Sequence, residues 1–216
     1  MKDIAIFGAG GLSKEVASLI GRINKNESDK WRIVGFFDDN PNLKGKDISH
    51  YGKVIGGVDE LNAWDTTIDV VISIGSPSAI RKVRERLTNP YLSFPNVISP
   101  DFKMADELCF SIGEGNIIQG GCWASNDVKI GNFNLLNGDI VFGHDVEVGD
   151  YNVLMPDIRV SGEVTIGKCN LIGVGSIILQ QIKIDNNVTI GAGSVLMTKP
   201  KSKCTYLGNP AKLFKY

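Results

Sequence analysis

Histidine is nearly missing from this chain of 216 residues: there are two, His50 and His144, so any imidazole chemistry falls on one of them. Cysteine is also sparse. Cys109, Cys122, Cys169 and Cys204 are scattered with no CxxC spacing, which gives neither a zinc framework nor a disulfide scaffold and leaves packed or surface thiols. With one useful histidine and no clustered carboxylates, no metal site is expected. No apolar run approaches the roughly 20 residues of a membrane span, and the chain opens on a charged pair and a strand rather than a signal peptide, so no membrane insertion and a cytoplasmic location are expected. Excess charge of either sign is missing too. A net charge of -1 with 22% charged residues excludes a general binder of nucleic acid or membrane surfaces.

What the chain does have is a beat of six residues through its back half: Ile112, Ile118, Ala124, Ile130, Leu136, Phe142, Val148, Leu154, Val160, Ile166, Ile172, Ile178, Ile184, Ile190 and Leu196. Neither a helix (period 3.6) nor a strand (period 2) gives a strict six, so each hexad reads as one strand plus one corner of a parallel β-helix. Two residues before each beat an eighteen-residue cycle appears, with Phe110, Val128, Val146, Val164 and Ile182 in one column and Asn116, Asn134, Asn152 and Asn170 in the next. Three hexads therefore make one coil. Stacking at about 4.8 Å would pack the β-branched column and let the asparagines form a ladder. Gly113, Gly131, Gly149 and Gly167 repeat at the same interval, as expected where corners demand backbone angles that a side chain penalises.

The first hundred residues follow a different grammar. Apolar strands are predicted over 4–7, 33–37 and 70–74, alternating with helices around 12–23 and 78–87, which reads as a small parallel α/β domain of Rossmann-like type. Pro90, Pro95 and Pro100 interrupt any regular element before the hexads begin, and the expected division is 1–98 and 99–216. Gly8-Ala9-Gly10-Gly11-Leu12-Ser13 is a glycine-rich turn between the first strand and the first helix, suited to placing backbone N–H groups against a phosphate. Ser13 stands where the dinucleotide fingerprint wants a third glycine, which favours a nucleotide or nucleotide sugar over NAD, with a purely structural tight turn as the alternative. Asp38 and Asp39 end the second strand, where their carboxylates could hydrogen-bond a ribose or base or simply form a solvated turn. Gly75, after the third strand, would line the same crevice or serve as a strand-to-helix turn.

His50 lies in a polar loop and reads as solvated. His144 sits at a corner, two residues past Phe142 and beside Asp145, and an imidazole oriented by a carboxylate suits general-base work near neutral pH. One coil along, Gly162 lacks a side chain beside His144 and is expected to leave space for a ligand. Asn126 lies one coil the other way, and Asn137, at the preceding corner, offers an amide for a substrate or oxyanion or a structural turn residue.

Taken together, the Gly8–Gly11 turn with Glu15, Phe37-Asp38-Asp39, Ile74-Gly75, His144-Asp145, Ile172-Gly173, Ile190-Gly191-Ala192-Gly193 and Gly208-Asn209-Pro210-Ala211-Lys212 resemble a family over essentially the whole length. The chain is similar to the left-handed β-helix acetyltransferases that include sialic acid O-acetyltransferases and the UDP-amino-sugar N-acetyltransferases of bacterial glycan pathways. The resemblance implies a homotrimer with acetyl-CoA as co-substrate, bound in the groove between adjacent β-helices, and no tightly bound cofactor. It implies His144 as general base with Asp145 raising its basicity, backbone at Val174 and Ala192 against the pantetheine arm, and Gly10, Gly11, Leu12, Asp38, Asp39 and Gly75 around the acceptor nucleotide sugar. Val174 and Ala192 differ by eighteen and share a column that His144 does not, and a ligand touching both corners is easily accommodated if they come from neighbouring subunits, as the implied trimer provides. Two positions depart from the pattern. Val153 stands where many relatives carry a second histidine, nine residues after the base, and Gly143 stands where relatives often have an acidic or polar residue.

Lys199, Lys201, Lys203, Lys212 and Lys215 make a basic tail without an acid, suited to the phosphates of CoA and to capping the last coil. The resulting expectation is direct acetyl transfer from acetyl-CoA to a sugar, foremost the amine of a nucleotide-linked amino sugar. Sialic acid O-acetylation is the alternative reaction, and a noncatalytic trimeric scaffold that binds nucleotide sugars is the alternative outside catalysis.

Overall fold

The computed structural model of the chain describes residues 1–28 and 30–215 and divides into two units, Met1–Pro100 and Asp101–Tyr216. In the first unit, β1 (Lys2–Phe7), β2 (Trp31–Phe37), β3 (Val54–Gly56), β4 (Ile68–Ile72) and β5 (Leu92–Ser93) form a parallel sheet in the order β3-β2-β1-β4-β5. The central strands β1 and β4 carry runs of apolar residues because helices cover both faces of such a sheet, and Ile4, Ile6, Val70 and Val71 are wholly buried. Helix α1 (Gly11–Asn26) buries Val16, Leu19, Ile20 and Ile23 at helical spacing. At its end the Asn24 amide brackets Trp31, donating to the Trp31 carbonyl at 2.6 Å and accepting from its N–H at 2.9 Å. Helices α2 (Val58–Asn62) and α3 (Pro77–Arg86) complete the unit.

Three of these elements differ from the sequence reading. The strand expected over 70–74 runs from Ile68 to Ile72, and Ser73, just past its end, donates both its backbone N–H (2.7 Å) and its hydroxyl (3.0 Å) to the Phe7 carbonyl. β3 and α2, three and five residues long, are too short to show a period.

The second unit is a parallel β-helix. Each hexad contributes a two-residue strand ending on the beat residue, and each strand pairs with the one eighteen residues on, as Phe142 does with Ala124 and Val160. One sheet runs through Ala124, Phe142, Val160, Ile178 and Leu196, a second through Ile130, Val148, Ile166 and Ile184, and a third through Ile118, Leu136, Leu154, Ile172 and Ile190. The one small beat residue, Ala124, stacks directly on the one aromatic beat residue, Phe142, and both are fully buried. In the asparagine column, Asn116, Asn134 and Asn152 each use Oδ1 to accept from both the backbone N–H and the Nδ2 of the next asparagine, at 2.8–3.0 Å. Asn170 ends the ladder by accepting from the Val188 N–H at 2.7 Å.

The corners hold a correction. Gly113, Gly131, Gly149 and Gly167 are not the left-handed positions. Those fall two residues later, at Gly115, Phe133, Tyr151 and Cys169, and recur at every corner of the rod, mostly on residues with side chains such as Asp127, Asp145 and Glu163. The four glycines answer to crowding between coils instead: a Cβ on Gly149 would stand 2.6 Å from the Gly167 carbonyl oxygen, and one on Gly131 2.7 Å from that of Gly149. Beyond the last coil, strand 205–207 pairs with 189–190 and is itself covered by antiparallel strand 212–214, so the sheet edge is occupied.

Candidate functional site

His144 follows the strand 141–142 at a corner that is clamped to the coils on both sides. The Glu163 N–H donates to the His144 carbonyl at 2.8 Å, and the Asp145 N–H donates to the Asn126 carbonyl at 3.0 Å. Asp145 takes the left-handed corner position (φ 57°), which brings its carboxylate back alongside the ring: His144 Nδ1 lies 2.8 Å from Asp145 Oδ2, with the two side chains 60% and 59% exposed. A carboxylate accepts the Nδ1 proton, so Nε2 carries the ring's lone pair. The space beside Gly162, expected to admit a ligand, is filled by the imidazole itself, because a Cβ there would lie 2.5 Å from Nε2.

The other corner flanking the same sheet holds Asn137, Val174 and Ala192. Val174 and Ala192 share one column with Pro156 through hydrogen bonds from Gly175 N–H to the Pro156 carbonyl and from Gly193 N–H to the Val174 carbonyl, at 2.9 and 2.8 Å, and Asn137 lies at the same corner in the adjacent column. Asn137 is thus grouped with Val174 and Ala192, not with His144. Val174 is 46% exposed, and Ala192 is exposed beside it. The left-handed positions after them are Gly175 and Gly193, where a Cβ would have no neighbour within 4 Å, so this edge is bare over two successive coils and its backbone can be approached closely. Lys212 is exposed on the last strand, and Lys199 lies 3.6 Å from Asp185.

In the first unit, the chain direction switches between β1 and β4, and the carboxyl ends of these strands carry the glycine turn and Gly75. Gly10 and Gly11 are exposed with open space where side chains would be, and α1 begins with no side-chain cap and no acid in its first turn, which leaves its leading N–H groups available to an anion. Leu12 is half-buried there. Ser13 is fully buried, and its hydroxyl meets that of Ser73 at 2.9 Å, tying α1 to the end of β4. Asp38 holds the turn from outside, accepting from the Ala9 N–H at 3.1 Å. Asp39, its neighbour, is already committed: Oδ1 accepts from the Val58 N–H at 3.0 Å and Oδ2 pairs with Arg86 Nη1 at 2.5 Å. The two aspartates therefore divide, one at the glycine turn and one bracing α2 and α3.

The family model of the PglD N-terminal domain matches residues 3–87. Among solved structures, the whole chain is similar to the acetyltransferase domain of PglB from Neisseria gonorrhoeae in complex with acetyl coenzyme A, at 24% identity and a TM-score of 0.85, covering 99% of each chain. It is similar to PerB from Caulobacter crescentus in complex with CoA and GDP-perosamine, at 22% identity and a TM-score of 0.83, covering 100% of this chain and 98% of that one. WeeI from Acinetobacter baumannii matches at 24% identity and a TM-score of 0.86, covering 99% and 100%. Among the curated proteins none matches the chain. These likenesses fix the fold of the second unit as the left-handed β-helix of such acetyltransferases.

Sequence reasoning missed one part of the first unit. A cavity of about 210 Å³ beside Asp38 is floored by Gly56, Gly57 and Val58 and walled by Lys44 and Glu60. Lys44 Nζ lies 2.7 Å from Glu60, whose other oxygen accepts from the Gly57 N–H at 2.7 Å, and these two contacts hold its carboxyl down at about 2. The signal was a glycine followed three residues later by a glutamate, the spacing of a capped helix start. The domain's larger cavity, about 560 Å³ between Lys2, Arg32, Ile68 and Ser93, sits at the amino ends of the strands, the wrong end for ligands of an open α/β sheet. Cys122 is buried and its thiol pushed up by that burial, whereas Cys169, read from the sequence as internal, occupies a half-exposed corner. Among the described residues no group of three or more potential ligands is placed to hold a metal, and no helix is long and apolar enough to cross a membrane.

Proposed function

We propose that this protein is an acetyl-CoA-dependent sugar acetyltransferase whose acceptor is the amine of a nucleotide-linked amino sugar. The observation that carries the reading is the exposed His144–Asp145 pair at 2.8 Å, with Nδ1 held by the carboxylate and the lone pair thereby left on Nε2. In the reaction, Nε2 takes a proton from the acceptor amine as its nitrogen attacks the thioester carbonyl of acetyl-CoA. The C–N bond forms, the C–S bond breaks, and the CoA thiolate leaves and recovers a proton, giving the acetamide and free CoA thiol. No covalent enzyme intermediate takes part. The pantetheine arm lies along the bare edge at Val174 and Ala192, Lys212 meets its phosphates, and Gly10, Gly11, Leu12, Asp38 and Gly75 receive the nucleotide. PerB, of the same fold, was solved with CoA and GDP-perosamine, which supports this pairing of donor and acceptor.

The working assembly is a homotrimer. Trp123, Val141, Ile177 and Val195 lie on the outer side of the sheet that separates the two corners, with Arg159 between Val141 and Ile177, and this largely apolar face is the contact between copies. Packing there brings the bare edge of one subunit toward the His144 corner of the next. Acetyl-CoA and a nucleotide sugar are both water-soluble, which puts the reaction in the cytoplasm.

The test is CoA thiol release with acetyl-CoA against a panel of UDP-, GDP- and dTDP-linked amino sugars, CMP-sialic acid and free sialic acid. One amino sugar should turn over, and His144→Ala should lower kcat by at least about 100-fold, the range of a lost general base. Turnover of sialic acid alone would replace the amine with a hydroxyl acceptor. Binding without turnover of anything in the panel would leave a scaffold.

A further inference from the structure

We propose that Gly162 is the positioning residue for the imidazole of His144. This rests on the reading of His144 as general base. A Cβ built on Gly162 would stand 2.5 Å from Nε2, 2.7 Å from Cε1 and 2.9 Å from Cδ2, so the outer edge of the ring lies across the bare Cα of the next coil. That seat and the Nδ1 contact with Asp145 Oδ2 fix the ring at two opposite edges. Any side chain at residue 162 would tilt the ring out of its seat and away from the carboxylate that selects its tautomer.

The nature of the obstruction makes the effect specific. Gly162 is not in the left-handed region, so an alanine fits its backbone, and the three nearest atoms all belong to a side chain exposed to solvent and free to swing. Gly143, one residue before His144, is the opposite case. Its Cβ would meet the backbone at Gly162 N (2.6 Å) and Ser161 C (2.8 Å), so a methyl there would part the coils. At Gly162 the methyl would cost the fold little and the site a great deal. Its own carbonyl still accepts from the Gln181 N–H at 3.0 Å, an interaction that a methyl leaves in place.

A ring lifted from Gly162 is drawn away from the Asp145 carboxylate that holds Nδ1. A ring displaced by about an ångström should lower kcat by about 10- to 100-fold, with KM for both substrates changed by no more than about twofold.

Two measurements on the full chain decide the matter. The first is the kinetic profile of Gly162→Ala beside His144→Ala, with melting temperature as a check on folding. The second needs no change at Gly162: its α-proton NMR signals should carry a ring-current displacement that vanishes in His144→Ala. Unaltered kcat in Gly162→Ala, unfolding of that variant, or α-protons indifferent to His144→Ala would each overturn the proposal. Turnover surviving in His144→Ala would instead bring down the base assignment itself, and the NMR signal, which does not depend on turnover, separates the two failures.

Discussion

The asparagine ladder makes an internal comparison possible, because truncating neighbouring rungs leaves different numbers of stranded donors. In Asn152→Ala, both the backbone N–H and the Nδ2 of Asn170 lose their acceptor, whereas in Asn170→Ala only the Val188 N–H does. Both asparagines are wholly buried, so water cannot stand in without entering the rod, and both changes remove the same side-chain volume. An unsatisfied buried donor costs about 1–3 kcal/mol, which puts the Asn152 variant about 1–3 kcal/mol below the Asn170 variant after the shared losses cancel. At about 2–4 °C per kcal/mol for a chain of this size, the melting midpoints should differ by roughly 3–10 °C, with Asn152→Ala the lower. The assay is a thermal melt followed by circular dichroism at one fixed protomer concentration, since association would otherwise shift the midpoints. Equal midpoints, or a lower one for Asn170→Ala, would refute the one-way donor pattern.

Two further predictions concern charge. Asp145→Asn removes the acceptor that selects the His144 tautomer. Because the pair is exposed, kcat should fall by about 10- to 100-fold rather than the 10⁴-fold of a buried triad. An unchanged kcat would contradict the pairing. Glu60, held at about 2 by the Lys44 contact and then by the Gly57 N–H, has a folded pKa below its ordinary 4.5. Its contribution is therefore complete above pH 4.5 and fades as the pH falls toward 2. The melting temperature of Glu60→Gln should lie below that of the parent chain at pH 6 and converge with it in acid, and a gap that stays constant down to pH 2.5 would show that Glu60 contributes through something other than its charge.

The rod was legible because its signal is a period, and a period survives in a single sequence wherever one face of every repeat must be apolar. The corners were not, since the left-handed position tolerates Asp127, Phe133, Tyr151, Glu163 and Cys169 alike and so leaves no compositional mark. Repeating glycines at Gly113, Gly131, Gly149 and Gly167 invited the wrong physical reason: they mark the approach of one coil to the next, which has no local signature. His144 and Asp145 could be paired on paper because they are adjacent. Asp39 could not be recognised as a brace, because Val58 and Arg86 lie 19 and 47 residues away and only the folded sheet brings them in. Gly162 was visible as a gap beside the histidine, but a sequence cannot say whether a gap holds a ligand or the histidine's own ring.

Because each coil closes in eighteen residues and pairs in register with the next, positions along the rod are graduated rather than continuous. Adding or deleting a whole coil between the His144 corner and the Val174 edge would leave every buried contact type intact and change their axial separation by one notch, about 4.8 Å. Partial insertions have no such freedom, since a shift of one residue turns the apolar set outward. A rod of this kind works as a ruler: the reach between the His144 corner and the Val174 edge can be reset only in whole steps, and finer adjustment is left to side chains such as the missing one at Gly162.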